Sequence, residues 1–164
     1  MTVDTLENCF SLCPPSTRLL GLDVGKKTIG LALSDEGQSI ATPLKTIERK
    51  KFSKDILELK KIIDDYQTGG FVIGYPINMD GSEGPRCESI RHFAQELENN
   101  PQIVGTNPWI SLWDERLSTA SVESFVGKFV DIKKAKQKGV IDKLAAQTIL
   151  QGALDFMRVA KNRL

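Results

Sequence analysis

Asp23 ends the apolar run Leu19-Leu20-Gly21-Leu22 and stands just before the turn Gly25-Lys26-Lys27. A carboxylate there lies where a buried strand opens into solvent, at the sheet end where open α/β folds hold ligands. Burying an ionised Asp alone is costly, so it needs a cation or hydrogen-bond donors close by. Asp114 and Glu115 end a second apolar segment, Trp109 to Trp113. Side chains alternate along a strand, so one of the two acids faces any shared site. Asp142 opens the last helical pattern, with Ala145, Ala146 and Ile149 three, four and seven positions on. That spacing puts Asp142 on the apolar face that packs inward.

Each acid alone has an ordinary explanation. Asp23 suits a turn before glycine, Asp114 or Glu115 a helix cap near Ser118, and Asp142 the positive end of a helix dipole. Together they describe a first-strand Asp, an acid closing a later strand and a final-helix Asp. Oxygen ligands of this kind suit Mg²⁺ or Mn²⁺. Two such ions about 4 Å apart activate water and stabilise the leaving oxygen of a phosphodiester. The single histidine, His92, lies in a helical segment beside Phe93. A Ser–His or His-based zinc mechanism therefore has little material.

Cations surround these acids in sequence. Lys26 and Lys27 share the turn beside Asp23, and Arg116 follows Glu115. Lys128, Lys133, Lys134, Lys136 and Lys138 precede the last helix. Gathered at one sheet edge they would neutralise phosphates; as a solvated lysine loop they would do nothing, and for Lys133 to Lys138 the two readings weigh equally. The loop Gly74 to Pro85 either offers backbone amides to a phosphate or is a structural turn using glycine at positive φ. Trp109 and Trp113 read as core.

The elements that must position these groups follow from patterning. Leu19 to Leu22 and Thr28 to Ser34 read as a hairpin, with a third strand near Pro43 to Ile47. Ser53 to Tyr66 reads as a helix with Ser53 as N-cap, ending at Gly69-Gly70. Phe71 to Ile73 is a short strand, Arg86 to Leu97 a helix and Trp109 to Trp113 a strand. Leu117 to Phe125 and Ile141 to Arg163 read as helices. This order predicts a mixed α/β sheet with helices on both faces.

At 164 residues the chain suits one domain. Its net charge of +1 means that any basic footprint is local. Cys9, Cys13 and Cys87 do not complete a zinc site and read as free thiols, which fits a cytoplasmic protein. No apolar run approaches the roughly 20 residues that cross a bilayer, so no membrane partner is expected. Residues 1–18 read as a loosely held extension and 19–164 as the domain.

Four stretches in order, LLGLDVGKKTIGLALSD (Leu19 to Asp35), VIGYPINMDGSEGP (Val72 to Pro85), WDERLSTASVE (Trp113 to Glu123) and IDKLAAQTILQGALD (Ile141 to Asp155), resemble the bacterial pre-16S ribosomal RNA nucleases. That family was formerly described as Holliday junction resolvases. The resemblance runs from about Leu19 to the C-terminus. It implies a ribonuclease H-like fold with a five-stranded mixed sheet flanked by helices. It also implies Asp23, Glu115 and Asp142 as catalytic metal ligands, Mg²⁺ or Mn²⁺ as cofactor, and structured RNA as substrate. Lys26, Lys27, Arg116, Lys133 and Lys134 are the expected nucleic-acid contacts.

Other readings compete. Resolution of four-way DNA junctions would use the same carboxylates and calls for a symmetric dimer, whereas the oligomeric expectation here is a monomer or homodimer. Asp23 to Gly30 also resembles the phosphate-binding hairpin of actin- and sugar-kinase-like ATPases, which usually need two such lobes. A non-catalytic nucleic-acid-binding domain is the third, though all the expected acids are present.

Overall fold

The computed structural model describes residues 3–117 and 139–162. Its elements are β1 (Val3–Thr5), α1 (Leu6–Cys9), β2 (Arg18–Val24), β3 (Thr28–Ser34), β4 (Ala41–Glu48), α2 (Phe52–Tyr66), β5 (Thr68–Tyr75), α3 (Pro85–Glu98), α4 (Pro101–Val104), β6 (Trp109–Asp114) and α5 (Val140–Asn162). The strands form one six-stranded sheet in the order β1-β6-β5-β2-β3-β4. Strands β2, β3 and β4 pair antiparallel, while β2–β5, β5–β6 and β1–β6 are parallel. The expected mixed α/β sheet flanked by helices is the observed fold.

Strands β2, β3, β5 and β6 are covered on both faces, which is why their sequences run apolar rather than alternating. On one face Leu20, Leu22, Ile29, Leu31, Phe71, Ile73 and Ile110 pack with Ile56 and Leu59 of α2 and with Ile90, Phe93 and Leu97 of α3. On the other, Leu19, Ala32, Ala41, Val72, Trp109 and Trp113 meet Ala146, Ile149, Leu150, Ala153 and Met157 of α5. Both tryptophans are core, as expected. Small residues line this second face. A Cβ added at Gly21 would lie 2.7 Å from the Leu150 Cβ and 3.1 Å from the Ala146 carbonyl oxygen. The helix thus sits almost on the strand backbone.

Two expectations are corrected. The sheet has six strands, not five, because β1 adds to the edge of β6. The first residues are accordingly not a loosely held extension: Leu6, Cys9 and Cys13 are buried in the α5-side core, and the Trp109 Nε1–H donates to the Cys9 carbonyl at 2.9 Å. A three-residue strand is too short to show a period, which is why patterning passed it over. Deleting residues 1–12 is expected to lower the melting temperature by about 5–10 °C, since Leu6 alone contributes roughly 1.5–3 kcal/mol. Thermal denaturation checks this.

Ser53 does not cap α2 either. Lys51 holds the N-cap position without a side-chain cap bond, and buried Asp55 reaches back to accept the Lys50 N–H at 2.9 Å. Expectations for the helix beyond Leu117 and for Lys128, Lys133, Lys134, Lys136 and Lys138 lie outside the described residues. No described helix is long and apolar enough to cross a membrane.

Candidate active site

The site begins with a lateral row across the sheet. Asp23 on β2 pairs with Gly30 on β3, and Gly30 with Thr46 on β4. On the other side Leu22 pairs with Ile73, which sets Asp23 level with Gly74 on β5, and Gly74 pairs with Trp113 on β6. Gly21 faces α5, so Asp23, two residues on, faces it too. Asp23 thus stands between two strand glycines on the α5 side of the sheet.

Those glycines determine what can approach. A Cβ at Gly30 would lie 2.0 Å from the Asp142 carbonyl oxygen. A Cβ at Gly74 would lie 2.5 Å from Ile149 Cδ1 and 3.3 Å from the Glu115 carboxyl carbon. The space that side chains would fill admits the first turn of α5 on one side of Asp23 and Glu115 on the other. Strand glycines commonly mark such a close approach.

Beta strand β4 pins the start of α5. The Thr46 hydroxyl donates to the Gly139 carbonyl at 2.6 Å. Gly139 has φ +73° and presses on the Thr46 side chain, so a larger residue there would be both strained and obstructed. Three residues later Asp142 accepts a hydrogen bond at Oδ2 from the Thr28 hydroxyl at 3.0 Å. Asp142 is therefore positioned from both sides, at the inward-facing first turn expected of it.

The electrostatics show what this assembly lacks. Burial pushes the Asp23 carboxyl above its ordinary value, the charge of Asp142 pushes it further the same way, and Arg86 opposes them. Burial and the Asp142 charge thus make the ionised form of Asp23 costlier, a deficit that a cation would relieve.

At the end of β6 the two candidate acids part. Asp114 is engaged by Arg116: the guanidinium Nη2 lies 2.8 Å from Oδ2, and Nε donates to both carboxyl oxygens at 3.1 Å. Glu115 opens a 3-10 turn, Glu115–Leu117, and lays its carboxyl group over Gly74. Glu115, not Asp114, is the acid beside the glycine row. The Arg116 charge, expected to serve nucleic acid, is largely answered by Asp114.

Lys26 and Lys27 are exposed on a fixed turn. Gly25 N–H donates to the Thr28 carbonyl at 2.9 Å, and Arg49 donates to the Lys27 carbonyl at 2.8 Å and, through Nη1, to that of Gly25 at 2.7 Å. Arg49 itself lies 5.6 Å above the Phe93 ring. The loop after β5 is also closed on itself. Asn78 N–H donates to the Ser82 carbonyl at 2.9 Å, Gly81 N–H to that of Asn78 at 2.9 Å, and Gly81 has φ +88°. At Gly81 the loop is the structural turn that needs glycine.

The structure thus brings Asp23 and Asp142 together and sets Glu115 over the adjoining glycine. Among the described residues, no three His, Cys, Asp or Glu side chains converge as they stand on one ion-sized point. The donor chemistry nonetheless fits a hard cation: the acids offer only oxygens, and at Asp23 burial and the Asp142 charge outweigh the opposing Arg86 charge. Patterning missed Thr28 and Arg86. Thr28 was read only as a strand residue and Arg86 only as a helix start; the hairpin sets the Thr28 hydroxyl on Asp142, and the Arg86 charge acts on Asp23.

A profile of the RuvX family, described as Holliday junction resolvase, matches residues 17–156. The chain belongs to this family. A relative from Rhodospirillum centenum is 47% identical over 158 residues, 96% of this chain and 84% of that one, and is named as a pre-16S rRNA nuclease. A second, from Ruegeria pomeroyi, is 46% identical over 96% of this chain and 99% of its own and carries the same name. Among solved structures, Thermus thermophilus RuvC in complex with a Holliday junction substrate superposes with a TM-score of 0.56 at 10% identity, covering 87% of this chain and 96% of that one. At that identity the match bears on fold alone, and it agrees with the ribonuclease H-like architecture.

Proposed function

We propose that this chain hydrolyses phosphodiester bonds with a divalent cation, Mg²⁺ or Mn²⁺, and acts in trimming the 5′ end of precursor 16S ribosomal RNA. The observation that carries the reading is the meeting of Asp23 and Asp142 across Gly30, with Glu115 over Gly74. Asp23 and Asp142 would hold the cation, and Glu115, over Gly74, would complete the set by turning its side chain inward. When bound, the cation supplies a Lewis acid and lowers the pKa of a coordinated water.

The protein's own residues do the rest. Thr28 holds one Asp142 oxygen and so fixes which one is left to face the site. The first turn of α5 lies against Gly30 and so covers one side of Asp23. Lys26 and Lys27, on a turn that Arg49 makes rigid, would neutralise phosphates flanking the cleaved bond. Lys133 and Lys134 are proposed for the same task. The RNA assignment rests on the names of relatives that span nearly the whole chain. We place the protein in the cytoplasm, where that RNA is processed.

Junction resolution is the second reading, favoured by the family description. The deciding assay offers the purified protein precursor 16S RNA and four-way DNA, each with Mn²⁺ and with chelator. Cation-dependent cut sites in the RNA, with the junction left intact, are expected. Paired symmetric nicks in the junction by a dimer, with the RNA untouched, would replace this reading by resolution.

A further inference from the structure

The N-terminal segment has no part in the carboxylate site, yet it walls a hollow beside it. The hollow has a volume of about 160 Å³. Thr5 ends β1, Tyr75 ends β5 and Asp114 ends β6, and all three line it, so it lies at the carboxyl ends of three parallel strands. Open α/β sheets hold ligands at this end. Leu6, Tyr75, Ile77 and Leu112 give the hollow apolar walls, while Glu7, Asp114 and Arg116 bring its charges. The walls are fixed. Leu6, Tyr75 and Leu112 are buried, the Tyr75 hydroxyl donates to Glu83, and Glu83 pairs with Arg91 Nη2 at 2.9 Å. Asp114 holds Arg116 through Nε and Nη2, while Nη1 donates to no partner among the described residues.

The hollow adjoins the carboxylates in chain and in space. Tyr75 follows Gly74, and Asp114 and Arg116 flank Glu115, which lies over Gly74. Tyr75 pairs with Asp114 across β5 and β6. Strand β6 stands two places from β2, so about 10 Å separates the strand of Asp23 from that of Asp114. That is within the reach of a nucleotide adjoining a phosphate bound at Asp23. The lining carries two carboxylates and one guanidinium, an excess of negative charge that repels a phosphate. Its size excludes a large ligand, since pockets for drug-sized molecules run to roughly 300–1,000 Å³. A small uncharged ring with hydrogen-bonding edges fits. The faces of a base would meet the apolar walls, and its edge would offer an acceptor to Arg116 and a donor to Asp114 or Glu7.

We propose that this hollow receives one unpaired base of the substrate, next to the phosphate held at Asp23 and Asp142. The inference rests on the nuclease reading above and adds how the cut position is chosen. Arg116 then serves nucleic acid by reading a base rather than by neutralising a phosphate, and the N-terminal segment builds one wall of the reader. Bases splayed out of single-stranded RNA are commonly recognised in this way.

The test uses the full chain and whichever of precursor 16S RNA and four-way DNA the wild type cleaves, with the cut position mapped first. Abasic sites are placed singly at the nucleotides flanking the cut, which removes one base and keeps every phosphate. At one position the wild type is expected to lose about tenfold in kcat/KM. Thr5→Trp fills the hollow: Thr5 lines it, is only partly buried and makes no side-chain cap bond. This variant should lose about tenfold on the intact substrate and nothing further on the abasic one, because both changes remove the same contact. Ile77→Trp fills the hollow from the β5 side, should behave alike, and serves in place of Thr5→Trp if that variant does not fold. Binding is read apart from cleavage in the Asp23→Asn background, with 2-aminopurine at the sensitive position. Its emission should change on binding, and should not when the filling substitution is added. Absence of any sensitive abasic position, or losses from the filling substitution and the abasic site that multiply, would overturn the base pocket while the nuclease reading stands. Wild type that cleaves neither RNA nor DNA would bring down both.

Discussion

Asp23→Asn is expected to reduce Mn²⁺-dependent cleavage at least about 10³-fold, because cation-borne stabilisation of several kcal/mol is lost and each 1.36 kcal/mol is tenfold in rate. The same substitution should not harm the fold. In chelator the wild type holds two aspartates that repel each other in a half-buried place, and the amide removes one of those charges. The pH dependence has a definite sign. Asp23 has a folded-state pKa above its ordinary 3.8. The fold therefore favours the protonated form, and ionisation of Asp23 costs stability as pH rises from 3.8 through the raised value. Above that value the cost is constant. Asn carries no such cost, so the melting temperature of Asp23→Asn should gain on that of the wild type as pH rises above 3.8 in chelator. A variant that cleaves normally, or loses its fold in chelator, would contradict this assignment.

Gly30→Ala should damage both stability and activity. Its methyl group would stand 2.0 Å from the Asp142 carbonyl oxygen, a backbone atom that cannot rotate away. Either β3 bends or the first turn of α5 lifts. Lifting strains the Thr46–Gly139 bond and draws Asp142 from Asp23. Overpacking of this kind costs about 1–3 kcal/mol, which lowers the melting temperature by about 3–10 °C in a chain of this size. Cleavage should fall by about a hundredfold or more, because a displacement near 1 Å at a catalytic group is enough for that. Gly74→Ala offers the contrast. Its nearest neighbour is the terminal methyl of Ile149, which can rotate, so its stability cost should be smaller. Differential melting and initial rates for the two variants decide the point.

Much of this was legible before any coordinates. Apolar runs covered on both faces gave away β2, β3, β5 and β6, and helical spacing placed Asp142 on the inward face of α5. What patterning could not supply were distances of approach. Gly30 looked like an ordinary strand residue and Gly74 like the start of a loop, yet their missing side chains let the first turn of α5 lie on Gly30 and Glu115 lie over Gly74. Alternation along β6 left Asp114 and Glu115 open, and only the Arg116 contact shows where Asp114 turns. The N-terminal strand was lost because three residues carry no period. Family membership adds the substrate names of relatives, which the geometry by itself would not supply.

The central claim is that Asp23, Asp142 and Glu115 form one cation site. The most direct measurement is anomalous diffraction from crystals of the full chain soaked in Mn²⁺. A peak bridging carboxylate oxygens of Asp23 and Asp142, with Glu115 turned toward it and the peak absent in Asp23→Asn, is predicted. Manganese density elsewhere on the molecule, with those three side chains left apart, would contradict it.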